Sequence, residues 1–146
     1  MSKNILLISI RPQYAKKILE GKKTVELRKV RTRLTQGDLV LVYVSSPEKA
    51  LVGWFEVEKI ITEELSQGKH KFWELVKDQA GITKTEFNNY YRGSSLGVAI
   101  FFEKIEIFNK EIKLQRLQRK LPQIKPPQSY RYMNEYEFET VKSLGL

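Results

Sequence analysis

Pro12 and Gly21 divide the N-terminal part of this chain into a strand, a short helix and a second strand. The run from Asn4 to Ile10 is apolar and β-branched, which is typical of a strand buried on both faces. Pro12 suits the first turn of a helix, and Gly21 can end that helix in a left-handed conformation. We therefore predict a helix over Pro12–Glu20 and a second strand over Lys23–Lys29.

The polar side chains of the second strand share one face. Its apolar residues are expected on the core side, so Thr24, Glu26 and Arg28 project together from the other side, with Lys23 at the turn beside them. A carboxylate between a lysine and an arginine orients their N–H donors, which suits a phosphate or a polar base edge. A solvated strand face with ion pairs of roughly 0–1 kcal/mol is the alternative.

Positive charge is concentrated around this strand. The segment from Ile10 to Arg33 holds nine of the 26 Lys and Arg residues and only two Glu, so its net charge is +7 beside +9 for the whole chain. Such a surface favours an anionic partner such as nucleic acid. The nine cations are Arg11, Lys16, Lys17, Lys22, Lys23, Arg28, Lys29, Arg31 and Arg33.

The motif RPQYAKKILEGKKTVELR, followed by GDLVLVYVSSP, resembles the ASCH domain, a branch of the PUA-like superfamily, in its single-domain prokaryotic form. The likeness extends to GVAIFFEKIEIF and PPQSYRY. The resemblance implies an α+β fold with a PUA-like (ASCH) small β-barrel of about five or six strands. It also implies covering helices at Pro12–Glu20 and His70–Arg92, and a cleft that takes RNA or a modified nucleoside.

Length and composition bound the remaining possibilities. A chain of 146 residues is expected to form a single domain, 1–146. It has no cysteine and one histidine, His70, so we predict no disulfide, no metal site and no cofactor. The absence of a signal-peptide pattern and of a long apolar run predicts a cytoplasmic protein with no membrane partner. The oligomeric state stays open.

Later apolar runs predict three more strands, over Leu39–Val44, Ala50–Ile61 and Ser95–Phe108. Gly53 inside one run indicates a bulge or a close backbone approach. Helices are predicted at His70–Gln79, at Thr85–Arg92 after the cap Thr83, around Leu114–Leu121, and at Glu135–Leu144 after the cap Asn134. The pair within His70–Arg92 superficially matches a helix-turn-helix, but its few cations favour a lid over a DNA-binding element.

Several residues outside the second strand are candidates for ligand contacts. Ser45 and Ser46 end a predicted strand, where their hydroxyls would face a barrel mouth or merely form a turn. Trp54 is a candidate for stacking on a base, although core or rim packing is its commoner role. Tyr130, Arg131 and Tyr132 form either a stacking platform or a packed tail.

Three functions are compatible with these features. The favoured one is an RNA- or nucleic-acid-binding ASCH module with a basic cleft, acting as a transcriptional or RNA-linked regulator; a nucleoside or nucleotide ligand is the variant of this hypothesis. The alternatives are a small hydrolase and a protein-interaction adaptor. The predicted ligand-binding residues are Arg11, Lys16, Lys22, Lys23, Thr24, Glu26, Arg28, Arg31, Arg33, Ser45, Ser46, Trp54, Tyr130, Arg131 and Tyr132.

The hydrolase hypothesis assigns acid–base roles to Lys23 and Glu26. The resemblance includes ASCH ribonucleases and ASCH amidohydrolases that act on acetylated cytidine with a lysine, a threonine and a glutamate. Lys23 matches the lysine of that motif, but Glu26 occupies the place of the threonine. We therefore expect little or no acetylcytidine hydrolysis and favour binding over catalysis.

Overall fold

The structure is a computed structural model that describes residues 3–146, so Met1 and Ser2 of the predicted domain lie outside the described residues. The strands are β1 (Ile5–Ile10), β2 (Val25–Arg28), β3 (Leu39–Val44), β4 (Ala50–Glu56), β5 (Lys59–Glu64), β6 (Leu96–Phe101), β7 (Glu106–Lys113) and β8 (Tyr130–Met133). The helices are α1 (Pro12–Leu19), α2 (Leu65–Val76), α3 (Lys84–Tyr90), α4 (Leu114–Lys120) and α5 (Glu135–Leu144). None of these five helices has the length and apolar character needed to span a membrane.

Five strands form one sheet in the order β7-β4-β3-β1-β8. β1 pairs in parallel with β3, where Ile10 lies opposite Val44, and antiparallel with β8, where Ile5 lies opposite Met133. Because β1 and β3 are parallel, their C-terminal ends lie at the same edge of the sheet. The backbone N–H of Ser45 donates to the carbonyl of Ile10 over 3.0 Å and joins these two ends.

The other three strands form an antiparallel sheet in the order β2-β6-β5. Its apolar face contributes to a buried cluster with the five-stranded sheet, in which Leu6 and Ile8 of β1 share the core with Ile100 of β6. The rings of Phe55 and Phe102 stack within this cluster, with centroids 3.8 Å apart. Burial of these side chains, at about 25 cal/mol per Å² of apolar surface, holds the two sheets together.

Helices cover the outer faces of both sheets, so the molecule has four layers. Leu117 of α4 and Phe138 of α5 pack with Leu41 on the outer face of the five-stranded sheet. Phe72 of α2 and Phe87 of α3 pack on the three-stranded sheet. β1 and β3 therefore contact apolar side chains on both faces, which explains their continuous apolar runs and confirms the prediction for β1.

The described residues form eight strands, more than the five or six expected, because two predicted strands each divide in two and because β8 lies where no strand was predicted. The run Ala50–Ile61 contains β4 and β5, and the run Ser95–Phe108 contains β6 and the start of β7. Each break is a crossing between the sheets, because β4 and β7 belong to the five-stranded sheet and β5 and β6 to the three-stranded one. At the first break, the N–H of Val57 donates to Asp38 O, whereas that of Glu58 donates to Phe101 O. An apolar run in the sequence does not reveal that its strand changes sheet.

Gly53 marks a close backbone approach, as predicted. The pairing of β4 with β7 changes register between Leu51 and Gly53. A Cβ atom at position 53 would collide with the carbonyl oxygen of Glu106. Only glycine fits here without displacing β7.

Both predicted helix caps are present. The Thr83 hydroxyl accepts from the N–H of Glu86 at 3.1 Å, and the Asn134 side chain accepts from the N–H of Glu137 at 2.8 Å. Each glutamate returns a hydrogen bond to the backbone of its cap residue, which completes a capping box. These caps fix the starts of α3 and α5.

A buried carboxylate, Asp38, fixes the loop between β2 and β3. It accepts from the backbone N–H of Asn4 at 3.0 Å, from the Asn4 amide at 3.1 Å and from the backbone N–H of Thr35 at 2.8 Å. Burial alone would raise the pKa of Asp38, but the hydrogen bonds from Thr35 and Asn4 outweigh it and lower that pKa. The ionised form is therefore the one that the fold stabilises.

We expect Asp38→Asn to reduce the free energy of unfolding by about 1–3 kcal/mol at pH 7, because an amide cannot accept all three donors. A lowered folded-state pKa contributes stability that is complete above the unfolded pKa, near 3.8, and is lost as the pH falls through the folded value. The difference in the free energy of unfolding between wild type and variant should thus become smaller below about pH 3.8. Urea unfolding over a pH series measures this difference in the free energy of unfolding, with Asp78→Asn at an exposed position as control. A difference that stays constant as the pH falls would contradict the stabilising role of the Asp38 carboxylate.

Candidate functional site

The polar face of β2 is buried rather than solvated. Val25 and Leu27 point into the core beneath α2 and α3, so Glu26 points to the opposite face, as alternation requires. Only 6% of Glu26 and 3% of Lys23 is exposed. The alternative of a solvated strand face is therefore wrong, because neighbouring elements cover this side of β2 as well.

Three charged side chains form a cluster on this face. Arg28 donates from Nη2 and Nε to Glu26 Oε2 at 2.7 and 3.1 Å, and Lys23 Nζ lies 3.7 Å from Glu26 Oε1. Lys23 also donates to the carbonyl of Ala80 at 2.7 Å, and Arg28 donates to that of Ser9 at 2.8 Å. We call Lys23, Glu26 and Arg28 the charged cluster; it connects β2 with β1 and with the segment after α2.

Burial lowers the pKa of Lys23 below its ordinary value of 10.5. The carboxylate of Glu26 opposes this shift, and the positive charge of Arg28 adds to it. A lysine with a lowered pKa exchanges its proton closer to neutral pH than an exposed lysine does. The cluster can therefore provide fixed hydrogen-bond donors and also a group suited to proton transfer.

The charged cluster lies in a cleft of about 930 Å³. The cleft is bounded by the C-terminal ends of β1 and β3, by α1, by α3 and by the segment that leads into β8. Its lining residues are Ser9, Ile10, Arg11, Tyr14, Lys23, Glu26, Leu27, Arg28, Lys29, Tyr43, Ser45, Ser46, Lys49, Ile82, Glu86, Asn89, Tyr90, Leu114, Pro126, Pro127 and Gln128.

The structure brings six of the predicted site residues together in this cleft and places nine elsewhere. The six that line it are Arg11, Lys23, Glu26, Arg28, Ser45 and Ser46. Parallel pairing explains the grouping, because Arg11 follows β1 and Ser45 follows β3 at one sheet edge. The nine that do not line it are Lys16, Lys22, Thr24, Arg31, Arg33, Trp54, Tyr130, Arg131 and Tyr132.

The aromatic residues predicted to stack on bases have other contacts. Trp54 packs edge-on against Phe138, with centroids 5.7 Å apart. The hydroxyl of Tyr130 donates to the carbonyl of Arg31 at 3.2 Å, and that of Tyr132 accepts from the N–H of Arg33 at 2.6 Å. The two tyrosines thus hold the β2–β3 loop against β8, which corresponds to the packing alternative.

The remaining predicted residues lie around the cleft or away from it. Thr24 accepts from the Gln79 amide at 3.3 Å. Arg131 pairs with the buried carboxylate of Glu137 at 3.5 Å. The other four, Lys16, Lys22, Arg31 and Arg33, are exposed cations on α1 or on the loops that flank β2.

The predicted site residues omit fifteen of the 21 lining residues, among them three tyrosines, Tyr14, Tyr43 and Tyr90, and the cation Lys49. The tyrosines occur at apolar positions of predicted helices and strands, where core packing is the default interpretation. Lys49 follows the turn after β3, has a φ of +50° and lines the cleft. A prediction of parallel pairing between β1 and β3 would have identified Lys49 and Tyr43, because both lie near the shared edge.

A metal site was not predicted, and no three His, Asp or Glu side chains come together within residues 3–146 in a way that could hold a metal ion.

We expect Glu26→Gln to lower the free energy of unfolding by about 3 kcal/mol, because a broken buried ion pair leaves an uncompensated charge. Adding Lys23→Met should recover part of the loss, since it removes the buried ammonium. Urea unfolding at pH 7 measures both, with Glu74→Gln as control because Glu74 pairs with Lys77 at an exposed site. Full stability of Glu26→Gln would show that the charged cluster does not support the fold.

The model of the ASCH domain family matches residues 8–141. A curated relative, the ASCH domain-containing ribonuclease of Zymomonas mobilis, is 25% identical over 138 residues, which cover 94% of this chain and 90% of the relative.

Solved structures agree with this match. The crystal structure of ASCH from Zymomonas mobilis superposes with a TM-score of 0.87 at 24% identity, covering 97% of this chain and 96% of that one. Human THYN1, in complex with 5-methylcytosine-containing DNA, gives a TM-score of 0.60 at 13% identity and covers 98% of both chains. These likenesses confirm the predicted α+β, PUA-like fold class. The family match over most of the sequence shows that the chain belongs to the ASCH domain family.

Proposed function

We propose that the chain forms one domain, residues 1–146, and that this domain binds RNA in the cleft. The observation that carries the proposal is the charge of the lining. Five of the lining side chains are cationic and two are acidic, in a chain of net charge +9. The cations are Arg11, Lys23, Arg28, Lys29 and Lys49, and the acidic residues are Glu26 and Glu86.

The arrangement of these charges supports a ligand with both phosphates and polar edges. Lys29 and Lys49 are exposed at the cleft, where they can contact phosphates without losing their hydration. Deeper in the cleft, Arg28 donates to Oε2 of Glu26, and Lys23 Nζ lies 3.7 Å from Oε1. A carboxylate oxygen has two lone pairs, so Oε1 can still accept from an amino group of a base beside Lys23. Phosphate contacts would position the ligand, and the charged cluster would contact its base.

The relatives support the same class of ligand. One is named a ribonuclease, and another was solved with DNA. Neither favours a transcriptional regulator or a protein-interaction adaptor. A nucleoside or nucleotide would occupy the same cleft but would leave the cations of the β2–β3 loop without a role.

Reversing the charges of Lys29, Arg31 and Arg33 to Glu should weaken RNA binding and flatten its salt dependence. Each lost phosphate contact lowers the slope of log K against log salt by about 0.7 for a single strand, so three contacts amount to about 2. Fluorescence anisotropy with a labelled RNA over a salt series measures both quantities.

The matched control reverses three cations that lie neither in the cleft nor on the β2–β3 loop: Lys59, Lys69 and Lys71. The control changes the net charge by the same amount. If both triple variants weaken RNA binding equally, the loss is an effect of overall charge and not of these three positions. Unchanged affinity and slope in the folded Lys29/Arg31/Arg33 variant would reject this nucleic-acid interface.

A second candidate function, RNA cleavage, is favoured by the Zymomonas mobilis relative, which matches 94% of this chain and is named a ribonuclease. Attack of a 2′-oxygen on phosphorus forms a cyclic phosphate and breaks the bond to the 5′-oxygen. Glu26 would accept the proton of the 2′-hydroxyl, and Lys23 would donate a proton to the leaving 5′-oxygen. Arg28 would stabilise the negative charge on phosphorus.

If the cleft cleaves RNA in this way, the protein should cut RNA in the presence of a chelator, because no step uses a metal. DNA of the same sequence should remain intact since it lacks the 2′-hydroxyl, and Lys23→Ala should abolish cleavage. In a parallel assay, N4-acetylcytidine should release no cytidine, because Glu26 stands where a threonine is required. RNA that is bound but never cut would remove the ribonuclease candidate and leave the binding proposal standing.

A further inference from the structure

We propose that Tyr90 is a stacking site for an unpaired nucleobase, so that the cleft selects single-stranded nucleic acid. This inference rests on the proposed function and specifies its ligand class. Tyr90 is at the end of α3, lines the cleft and is 38% exposed. It was not among the residues expected to stack on a base.

The ring of Tyr90 is held in a fixed position. Its hydroxyl donates to the backbone carbonyl of Leu27 at 3.2 Å, which anchors the far end of the side chain to β2. Tyr91 lies against it in an edge-to-face arrangement, with centroids 4.8 Å apart and an angle of 72°. A rigid aromatic platform loses little conformational freedom when a base stacks on it.

A flexible cation covers the ring in this structure. Lys29 Nζ lies 4.4 Å from the ring centroid, in a cation–π contact. At an exposed site such a contact contributes about a two- to fivefold effect on an equilibrium, whereas stacking of one base contributes about five- to 150-fold. A base therefore displaces Lys29 from the ring, and the released ammonium becomes available to the adjoining phosphate.

Other aromatic residues of the cleft do not offer an equivalent surface. Tyr43 is only 3% exposed. Tyr14 is half-buried, and its hydroxyl contacts Glu86 at 3.4 Å. The cation beside its ring, Lys23 at 5.6 Å from the centroid, is itself buried and cannot move to a phosphate. Tyr130 and Tyr132 hold the β2–β3 loop and do not line the cleft. Tyr90 alone among the described lining residues combines an exposed aromatic ring with an adjoining cation.

Stacking on Tyr90 requires a base whose face is open. Bases inside a duplex stack on their neighbours, so a duplex offers such a face only after a base leaves the helix, which costs energy. Single-stranded RNA offers its bases directly. The same protein should therefore bind a single strand more tightly than the corresponding duplex.

The experiment compares two labelled single strands in an anisotropy titration: an RNA, and a strand of equal length made of abasic phosphodiester units. Tyr90→Leu should weaken RNA binding about tenfold, which is about 1.4 kcal/mol, without changing the salt slope. It should leave binding of the abasic strand unchanged. Tyr90→Phe keeps the ring but loses the hydroxyl anchor, so it should retain most of the affinity that Tyr90→Leu loses. Tyr136→Leu should bind like the wild type, because it removes a tyrosine that is 70% exposed outside the cleft.

Lys29→Gln supplies an independent measurement. It should reduce the salt slope by about 0.7, because the amine that leaves the ring neutralises one phosphate. A 2-aminopurine base in the RNA gives a further measurement on the wild-type protein, since its fluorescence should be quenched on stacking. These measurements keep the test decisive even if Tyr90→Leu fails to fold.

Different results would overturn different claims. If the wild-type protein binds neither strand, the proposed function itself fails. If RNA binding depends on Lys29, Arg31 and Arg33 but Tyr90→Leu retains wild-type affinity, the proposed function stands and the stacking site is rejected. Equal affinity of the wild-type protein for RNA and for the abasic strand would also reject it.

Discussion

The buried charged cluster determines how the parts of the molecule around the cleft fit together. Removing ions of this kind from water costs several kcal/mol each, so the cluster is tolerable only because Glu26 lies between Lys23 and Arg28. Backbone carbonyls of β1 and of the segment after α2 accept the remaining hydrogen bonds. The cleft floor is thus a set of mutually dependent charges, and its geometry is fixed by the two sheets that supply its parts.

Much of the fold could be predicted because it depends on local rules. Pro12 and Gly21 delimit α1, alternation orients β2, and the caps Thr83 and Asn134 start two helices. What could not be predicted depends on long-range pairing. The division of two apolar runs into four strands follows from the crossing between sheets, and such a crossing has no separate signature in the sequence.

The same distinction applies to the site. Alternation alone places Glu26 and Arg28 on one face, but the burial of that face depends on which elements pack over it. The tyrosines show most clearly what the sequence cannot predict. Tyr90, Tyr130 and Tyr132 are all amphipathic aromatic residues, and the sequence does not distinguish their roles. Their hydroxyl partners, which lie about 60 to 100 residues away in the chain, decide which ring stays exposed in the cleft.

The position of β1 has a consequence for folding during synthesis. One side of β1 pairs with β3, but its other side pairs with β8, where Ile5 meets Met133. A ribosome must therefore synthesise every element from β1 to β8 before β1 can pair with its second neighbour. Until then an apolar strand edge is exposed, which is a known risk for association between unfinished chains. Arg28 donates to the carbonyl of Ser9 and also to the hydroxyl of Ser129, just before β8. The floor of the cleft is therefore completed only when β1 and the segment that leads into β8 have met.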